Sequence, residues 1–192
     1  MLVGFVVAAA LIGGCGGEQR ENSGHGQMNE TNPQEAVFAM GCFWGSEAAF
    51  RGVQGVIDAK VGFMGGTVVN PTYKQVCRTN TGHAEVVRVV FDSSVVSYEQ
   101  LLDIFWSRHN PTTLNRQGPD VGSQYRSAIF YYNASQQKLA EVSRDAMQNS
   151  GKFSERIVTE ITDAGEFYLA DEHHQRYFEK HGGACNTGIS KD

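Results

Sequence analysis

Positive charge is in short supply in this chain. Sixteen lysines and arginines face 21 aspartates and glutamates, a formal charge of −5. Without the basic excess that holds phosphate backbones, nucleic acid is not an expected partner. Long apolar runs are lacking too: "MLVGFVVAAALIGG" at 1–14 falls short of the roughly 20 residues that cross a bilayer as a helix. Cysteine is scarce, with only Cys15, Cys42, Cys77 and Cys185, each in different surroundings. What is present suffices for one core, because 192 residues of 41% hydrophobic and 10% aromatic content favour a single domain with a tail.

The apolar stretch at 1–14 reads as the core of a signal peptide. It enters Cys15 through "LIGGC", small residues before a cysteine, which resembles the site where bacterial lipoproteins are cleaved and acylated. Cys15 would then be the lipidated mature N-terminus, and the expected location is extracytoplasmic, on a bacterial membrane. An ordinary apolar N-terminal helix is the other reading, and a different true start would leave the protein cytoplasmic. Residues 16–35 hold Met28 as their one clearly apolar side chain, too little burial to offset ordering entropy, and read as a flexible tether. The expected organisation is a leader at 1–15, a tether at 16–35 and a catalytic domain at 36–192.

Within that domain, "AVFAMG" at 36–41 followed by "SEAAFRGV" reads as strand, turn and helix. "GVIDAKVGFMGG" and "HAEVVRVVFD" read as two strands of one sheet. Ser97 with Gln100 three residues on, apolar residues at 101, 102, 104, 105 and 106, and Pro111 beyond them predict a capped helix. Residues 127–133 predict a strand, 135–151 a helix closed by Gly151, 157–164 a last strand and 171–181 a last helix. Interleaved elements of this kind imply an α+β or α/β sandwich, with 64–83 and 109–124 as long loops.

Cys42 in "GCFWGSE" falls at or just before the first helical turn, where unpaired N–H groups and the positive end of the dipole favour a thiolate. Its neighbours Phe43 and Trp44 suit either an apolar pocket or core filling, and a buried thiol is an ordinary small hydrophobe. Glu47 suits capping or pairing within that helix. His173, His174, His181 and Cys185 have zinc-binding side chains, but their spacing resembles no common zinc motif, and no metal is assigned.

Taken in order, "GCFWGSE", "PTYKQVC", "TGHAEVVRVVF", "SQYRSAIF" and "HHQRYF" closely resemble peptide methionine sulfoxide reductases of the A type over about residues 36–185. The resemblance implies a ferredoxin-like α+β sandwich with long active-site loops and a glycine-rich C-terminal tail. It also implies reduction of free or peptidyl methionine S-sulfoxide, repairing oxidised proteins without metal or organic cofactor. Cys42 takes the role of nucleophile and Glu85 that of the acid for the departing oxygen, although the strand pattern alone would leave Glu85 an exposed charge. Tyr73 and Tyr125 correspond to the phenols that hydrogen-bond the sulfoxide oxygen, and Asp120 to an acid of the same pocket. Phe43 and Trp44 correspond to the wall that receives the S-methyl group.

Attack leaves a sulfenic acid on Cys42, which a second thiol condenses to a disulfide. The family's tail cysteine corresponds to Cys185 in "HGGACNTGIS", with a thioredoxin-like dithiol as final reductant and the enzyme a monomer touching the membrane only through its lipid. The tail departs from the common pattern, with "KHGGAC" where an asparagine–proline pair and a longer segment often stand. Cys77 is the other candidate resolving thiol, though it reads more simply as a buried thiol beside a strand. Two rival functions remain: a thiol peroxidase or sensor, which also cycles through a sulfenate, and a surface lipoprotein that binds a methionine-like ligand with Cys42 structural.

Overall fold

A computed structural model describes residues 32–183 of the chain. The expected leader with Cys15, most of the expected tether, and Cys185 lie outside the described residues. Strand β1 (Pro33–Met40) begins within the expected tether, and Pro33, Gln34 and Glu35 pair with Asp92, Phe91 and Val90. Composition misses this because a backbone ladder asks nothing of side chains, and these three are exposed.

After β1 come helix α1 (Phe43–Arg51), strand β2 (Val56–Met64), short helix α2 (Tyr73–Arg78), strand β3 (Ala84–Asp92) and helix α3 (Tyr98–Arg108). A hairpin of β4 (Arg116–Gln117) and β5 (Asp120–Val121) follows, then a 3-10 turn at Ser123–Tyr125, strand β6 (Ser127–Tyr131) and helix α4 (Ala134–Asn149). The described chain closes with β7 (Glu160–Asp163), β8 (Tyr168–Leu169) and α5 (Tyr177–His181). Six strands form one sheet in the order β7-β6-β1-β3-β2-β8, antiparallel except for β6 with β7. Its centre, β6-β1-β3-β2 with α1 and α3 as the two crossovers, is the ferredoxin-like arrangement.

Alternation along the central strands separates two cores. Ala36, Phe38 and Met40 of β1 and Val87, Val89 and Phe91 of β3 pack with Phe50 of α1 and Leu101, Leu102, Phe105 and Trp106 of α3. Val37, Ala39, Val86 and Phe130 face the other way, beneath the connection that carries Ala164 and Phe167. There Gly62 of β2 leaves room for a backbone, since a Cβ would stand 2.4 Å from the Tyr168 carbonyl oxygen. Ser97 caps α3 as expected, with Gln100 answering it. Buried His109 ties the end of α3 to β6, contacting the Phe105 carbonyl at 2.8 Å and the Ser127 hydroxyl at 2.7 Å. Burial pushes that imidazole down to about 4, so it is neutral.

Three expectations change. The loop at 64–83 contains α2, nucleated by the Thr72–Gln75 capping box. The loop at 109–124 contains the β4–β5 hairpin and most of the 3-10 turn that ends at Tyr125. The helix expected at 171–181 covers only its last five residues. Upstream, the buried Gln175 amide acts as a strand on the β2 edge, accepting from Val61 N at 2.9 Å and donating to the Val61 and Ala170 carbonyls at 2.9 Å. Arg176 then turns the chain at φ 53.

Phe38 is fully buried and stacks on Phe50 at 5.0 Å, against Phe105 at 5.6 Å. Phe38→Ala should therefore lower unfolding free energy by about 3–5 kcal/mol in urea denaturation, and a loss below about 1 kcal/mol would show that this core collapses around the deletion.

Candidate active site

Between β1 and α1 the chain turns through Gly41, at φ 91, where a Cβ would stand 2.6 Å from Gln117 Cγ. Only glycine fits, in conformation and in space. Gln117 is fixed in turn by Asn110, accepting from its N–H at 3.2 Å and donating to its carbonyl at 3.0 Å. The β4–β5 hairpin is thereby seated against the residue before Cys42. Cys42 is the N-cap residue of α1, with its carbonyl accepting from Gly45 N at 3.2 Å and Ser46 N at 3.3 Å. Its half-buried side chain lies at the positive end of the helix.

Glu85 is the second residue of β3, paired with Phe63 and on the same strand face as Val87 and Val89. It is buried beneath the start of α1, where Oε2 accepts the Phe43 N–H at 3.0 Å. That N–H is one of the donors a helix start leaves without a partner. The other oxygen, Oε1, is buried and has no hydrogen-bond partner. Burial pushes the carboxyl up to about 8; the Phe43 N–H opposes the shift and the charge of Asp120 adds to it. Near neutrality Glu85 thus carries a proton that can be given through its free oxygen.

Tyr73 opens α2 and packs against His174 at 4.4 Å and stacks on Phe43 at 6.2 Å. Tyr125 ends the 3-10 turn. Both phenols are held protonated above their ordinary range, first by burial; a hydrogen bond to Cys77 adds to this in Tyr73, and the Glu85 charge in both. They are donors, as a polarised oxygen requires. Cys77 is not a thiol beside a strand: it lies half-buried on α2, hydrogen-bonded to both tyrosines. Burial raises that thiol, which favours its neutral form. Packing across α2 and the 3-10 turn decides this, and no sequence spacing announces it.

Phe43 and Trp44 divide the role expected of them. Phe43 is buried against Phe63 and His174, whereas half-buried Trp44 lines a cavity of about 270 Å³ together with Cys42, Gln117 and Asp120. This is the small end of ligand clefts, suited to one side chain. Glu85, Tyr73 and Tyr125 do not line that cavity; they form a neighbouring polar group in which Glu85 is buried and the two tyrosines are half-buried. Cys42 links the two, lining the cavity beside Asp120 and lying near enough to Tyr125 for its charge to raise that phenol.

Trp44 is locked by groups that sequence reading left aside. Its Nε1–H donates to His174 Nδ1 at 3.2 Å, and its ring stacks on Tyr177 at 3.7 Å and 6°. His174 is buried and pushed down, first by burial, so the ring is neutral with its proton on Nε2. Glu47 does not serve its own helix but reaches the C-terminal turn, where Oε2 accepts the Arg176 N–H at 2.7 Å. "HHQRYF" marked this region, but only burial reveals which of its side chains face the site. Among the described residues no group of three histidine, cysteine or carboxylate side chains is arranged to hold a metal ion.

Residues 34–191 match the family model described as peptide methionine sulfoxide reductase. A reductase of that name from Methanosarcina acetivorans is 55% identical over 162 residues, covering 84% of this chain and 83% of the relative. The crystal structure of Mxr1 from Saccharomyces cerevisiae in reduced form superimposes with a TM-score of 0.73 at 35% identity, over 83% of this chain and 93% of that one. The same yeast protein in complex with Trx2 gives 0.52 at 26% identity, over 84% of this chain and 94% of that one.

The raised carboxyl generates a prediction on stability. Below its ordinary value of 4.5, Glu85 is protonated folded or unfolded; from there to about 8, folding must take up a proton, so rising pH weakens the fold. Glu85→Gln should therefore gain stability relative to the native chain as pH rises through that window and then level off, read by urea denaturation. A difference that stays flat would mean the folded carboxyl is ionised.

Proposed function

The chain belongs to the peptide methionine sulfoxide reductase family, and from that premise we propose that Cys42 is the nucleophile toward the sulfur of methionine S-sulfoxide, free or in a polypeptide. The observation that carries this reading is the Phe43 N–H bond to Glu85, which couples a protonated acid to the helix start that bears Cys42. Chemistry follows from the charge change. As the thiolate attacks sulfur, negative charge builds on the sulfoxide oxygen; Glu85 supplies a proton, and the Tyr73 and Tyr125 hydroxyls donate hydrogen bonds. Asp120 raises the affinity of Glu85 for its proton. Trp44 receives the methyl group through sulfur and methyl contact with its face, with Phe43 packed behind.

Methionine leaves reduced by two electrons, and Cys42, oxidised by two, keeps the oxygen as a sulfenic acid. The Cys185 thiol then attacks the Cys42 sulfur, forming an S–S bond and expelling the oxygen as water. Support for Cys185 comes from α5: Phe178 lines the Cys42 cavity, and Cys185 follows seven positions later, after Gly182 and Gly183. A thioredoxin-like dithiol completes the cycle by exchange, as the yeast relative's complex with Trx2 suggests. The consequence is repair of oxidised proteins. A thiol peroxidase would have no use for a buried proton donor, two phenols and an indole wall together.

Cys42→Ser should abolish conversion of methionine sulfoxide with dithiothreitol, and unchanged turnover would sink the mechanism. Cys185→Ser should still release one methionine per enzyme but stall with thioredoxin; full thioredoxin-driven turnover would remove Cys185 from its role. The "LIGGC" segment supports an acylated Cys15, hence an extracytoplasmic lipid-anchored enzyme, and a site built within one chain supports a monomer. Native mass spectrometry of enzyme extracted from membranes should show one chain per particle, starting at a lipid-bearing Cys15. An unmodified terminus would remove the anchor, and a doubled mass the monomer.

A further inference from the structure

The cavity that holds Cys42 and Trp44 is lined on one side by Arg108, the last residue of α3. Arg108 is exposed, and its side chain makes no hydrogen bond or ion pair with any described residue. A cation in the last turn of a helix has an ordinary use, satisfying the terminal carbonyls. In α3 another residue performs it, since Lys152 Nζ donates to the Trp106 carbonyl at 3.3 Å. Arg108 is thus left with its charge at the cavity rim.

A second exposed cation lies beside the cavity lining without being part of it, next in sequence to Gln117. Arg116 opens the β4–β5 hairpin, and its Nε–H donates to the Gly118 carbonyl at 2.8 Å, holding the stem against the Gly118–Asp120 segment that lines the cavity. Like Arg108, it forms no ion pair with a described residue, whereas Arg51, Arg126 and Arg176 all do. Asp120, the one acid lining the cavity, is half-buried and coupled to Glu85. The cavity lining thus carries one exposed, unpaired guanidinium, that of Arg108, in a chain whose formal charge is −5.

Resting on the reductase reading, we propose that Arg108, assisted by Arg116, selects methionine sulfoxides that lie beside aspartate or glutamate in the substrate polypeptide. When the sulfoxide side chain enters the cavity, the polypeptide itself must pass over the rim. Residues one or two positions away then lie within roughly 7 Å of the oxidised methionine's backbone. A carboxylate there meets the unpaired Arg108 guanidinium, with Arg116 behind the Gly118 carbonyl, and a lysine there meets repulsion. The attraction acts between exposed groups, so it is modest and sensitive to salt.

The test compares kcat/KM for three peptides with Asp, Asn or Lys on both sides of methionine sulfoxide, using dithiothreitol as reductant. The native enzyme should favour the Asp over the Lys peptide by about two- to fivefold at low salt, and the ratio should approach one in about 1 M salt, where the Debye length is roughly 3 Å. Arg108→Glu should invert the ratio, and Arg108→Gln should bring it toward one. A ratio of one in the native enzyme, or a preference that neither variant shifts, would overturn the proposal. Absence of turnover with all three peptides would overturn the reductase reading instead, and this proposal with it.

Discussion

One hydrogen bond organises the site: the N–H of Phe43, first in α1, given to the buried carboxyl of Glu85 on β3. Both groups need it. A helix start has donors that its own turns cannot satisfy, and a carboxyl taken out of water needs a partner or a proton. The bond satisfies one oxygen while burial keeps the proton on the group, leaving the second oxygen without a partner. The same contact fixes the distance between the acid and Cys42, because Cys42 and Phe43 are consecutive. Cys42 and Glu85 are therefore positioned by the sheet-to-helix packing itself, not by a separate loop.

Around that bond the site is closed from two directions by polar anchors. On one side the β4–β5 hairpin is held by the paired amide contacts of Gln117 and Asn110 and lies against Gly41, where no side chain could stand. On the other, the C-terminal segment is pinned by Gln175 on the β2 edge and by Glu47 beneath Arg176. These two anchors bring His174 and Tyr177 onto Trp44. Trp44 has two rotatable side-chain bonds and lines the cavity; the hydrogen bond to His174 and the stack on Tyr177 hold its face in one orientation. Preorganisation of this kind costs nothing at the moment of reaction.

The sheet and the helix that carries Cys42 were legible because they depend on local periodicity: alternation in "AEVVRVVFD", the Ser97–Gln100 pair, the glycine after "AVFAM". Short elements were not. Helix α2 and the β4–β5 hairpin are six and two residues long per element, too brief for any period to rise above its surroundings. The segment at 171–176 reads as helix in the sequence but is not one, because its conformation is dictated by Gln175 filling a strand edge 114 residues away in sequence. Glu85 is the sharpest case. On its own strand it is one charged residue in an apolar run, and only the lid formed by α1 makes it buried and protonated.

By itself the sequence determined that this chain has enough apolar residues for one folded domain, a thiol at a helix start and a set of motifs spread from Cys42 to Phe178, since composition, caps and motif spacing are properties of neighbours along the chain. Only the tertiary structure decided that Glu85 keeps its proton, that Cys77 joins the two tyrosines, and that Trp44 lines the cavity while Phe43 lies behind it. The reason is physical: protonation and accessibility depend on what displaces water from a group, and water is displaced by residues that are distant in sequence and adjacent only after folding.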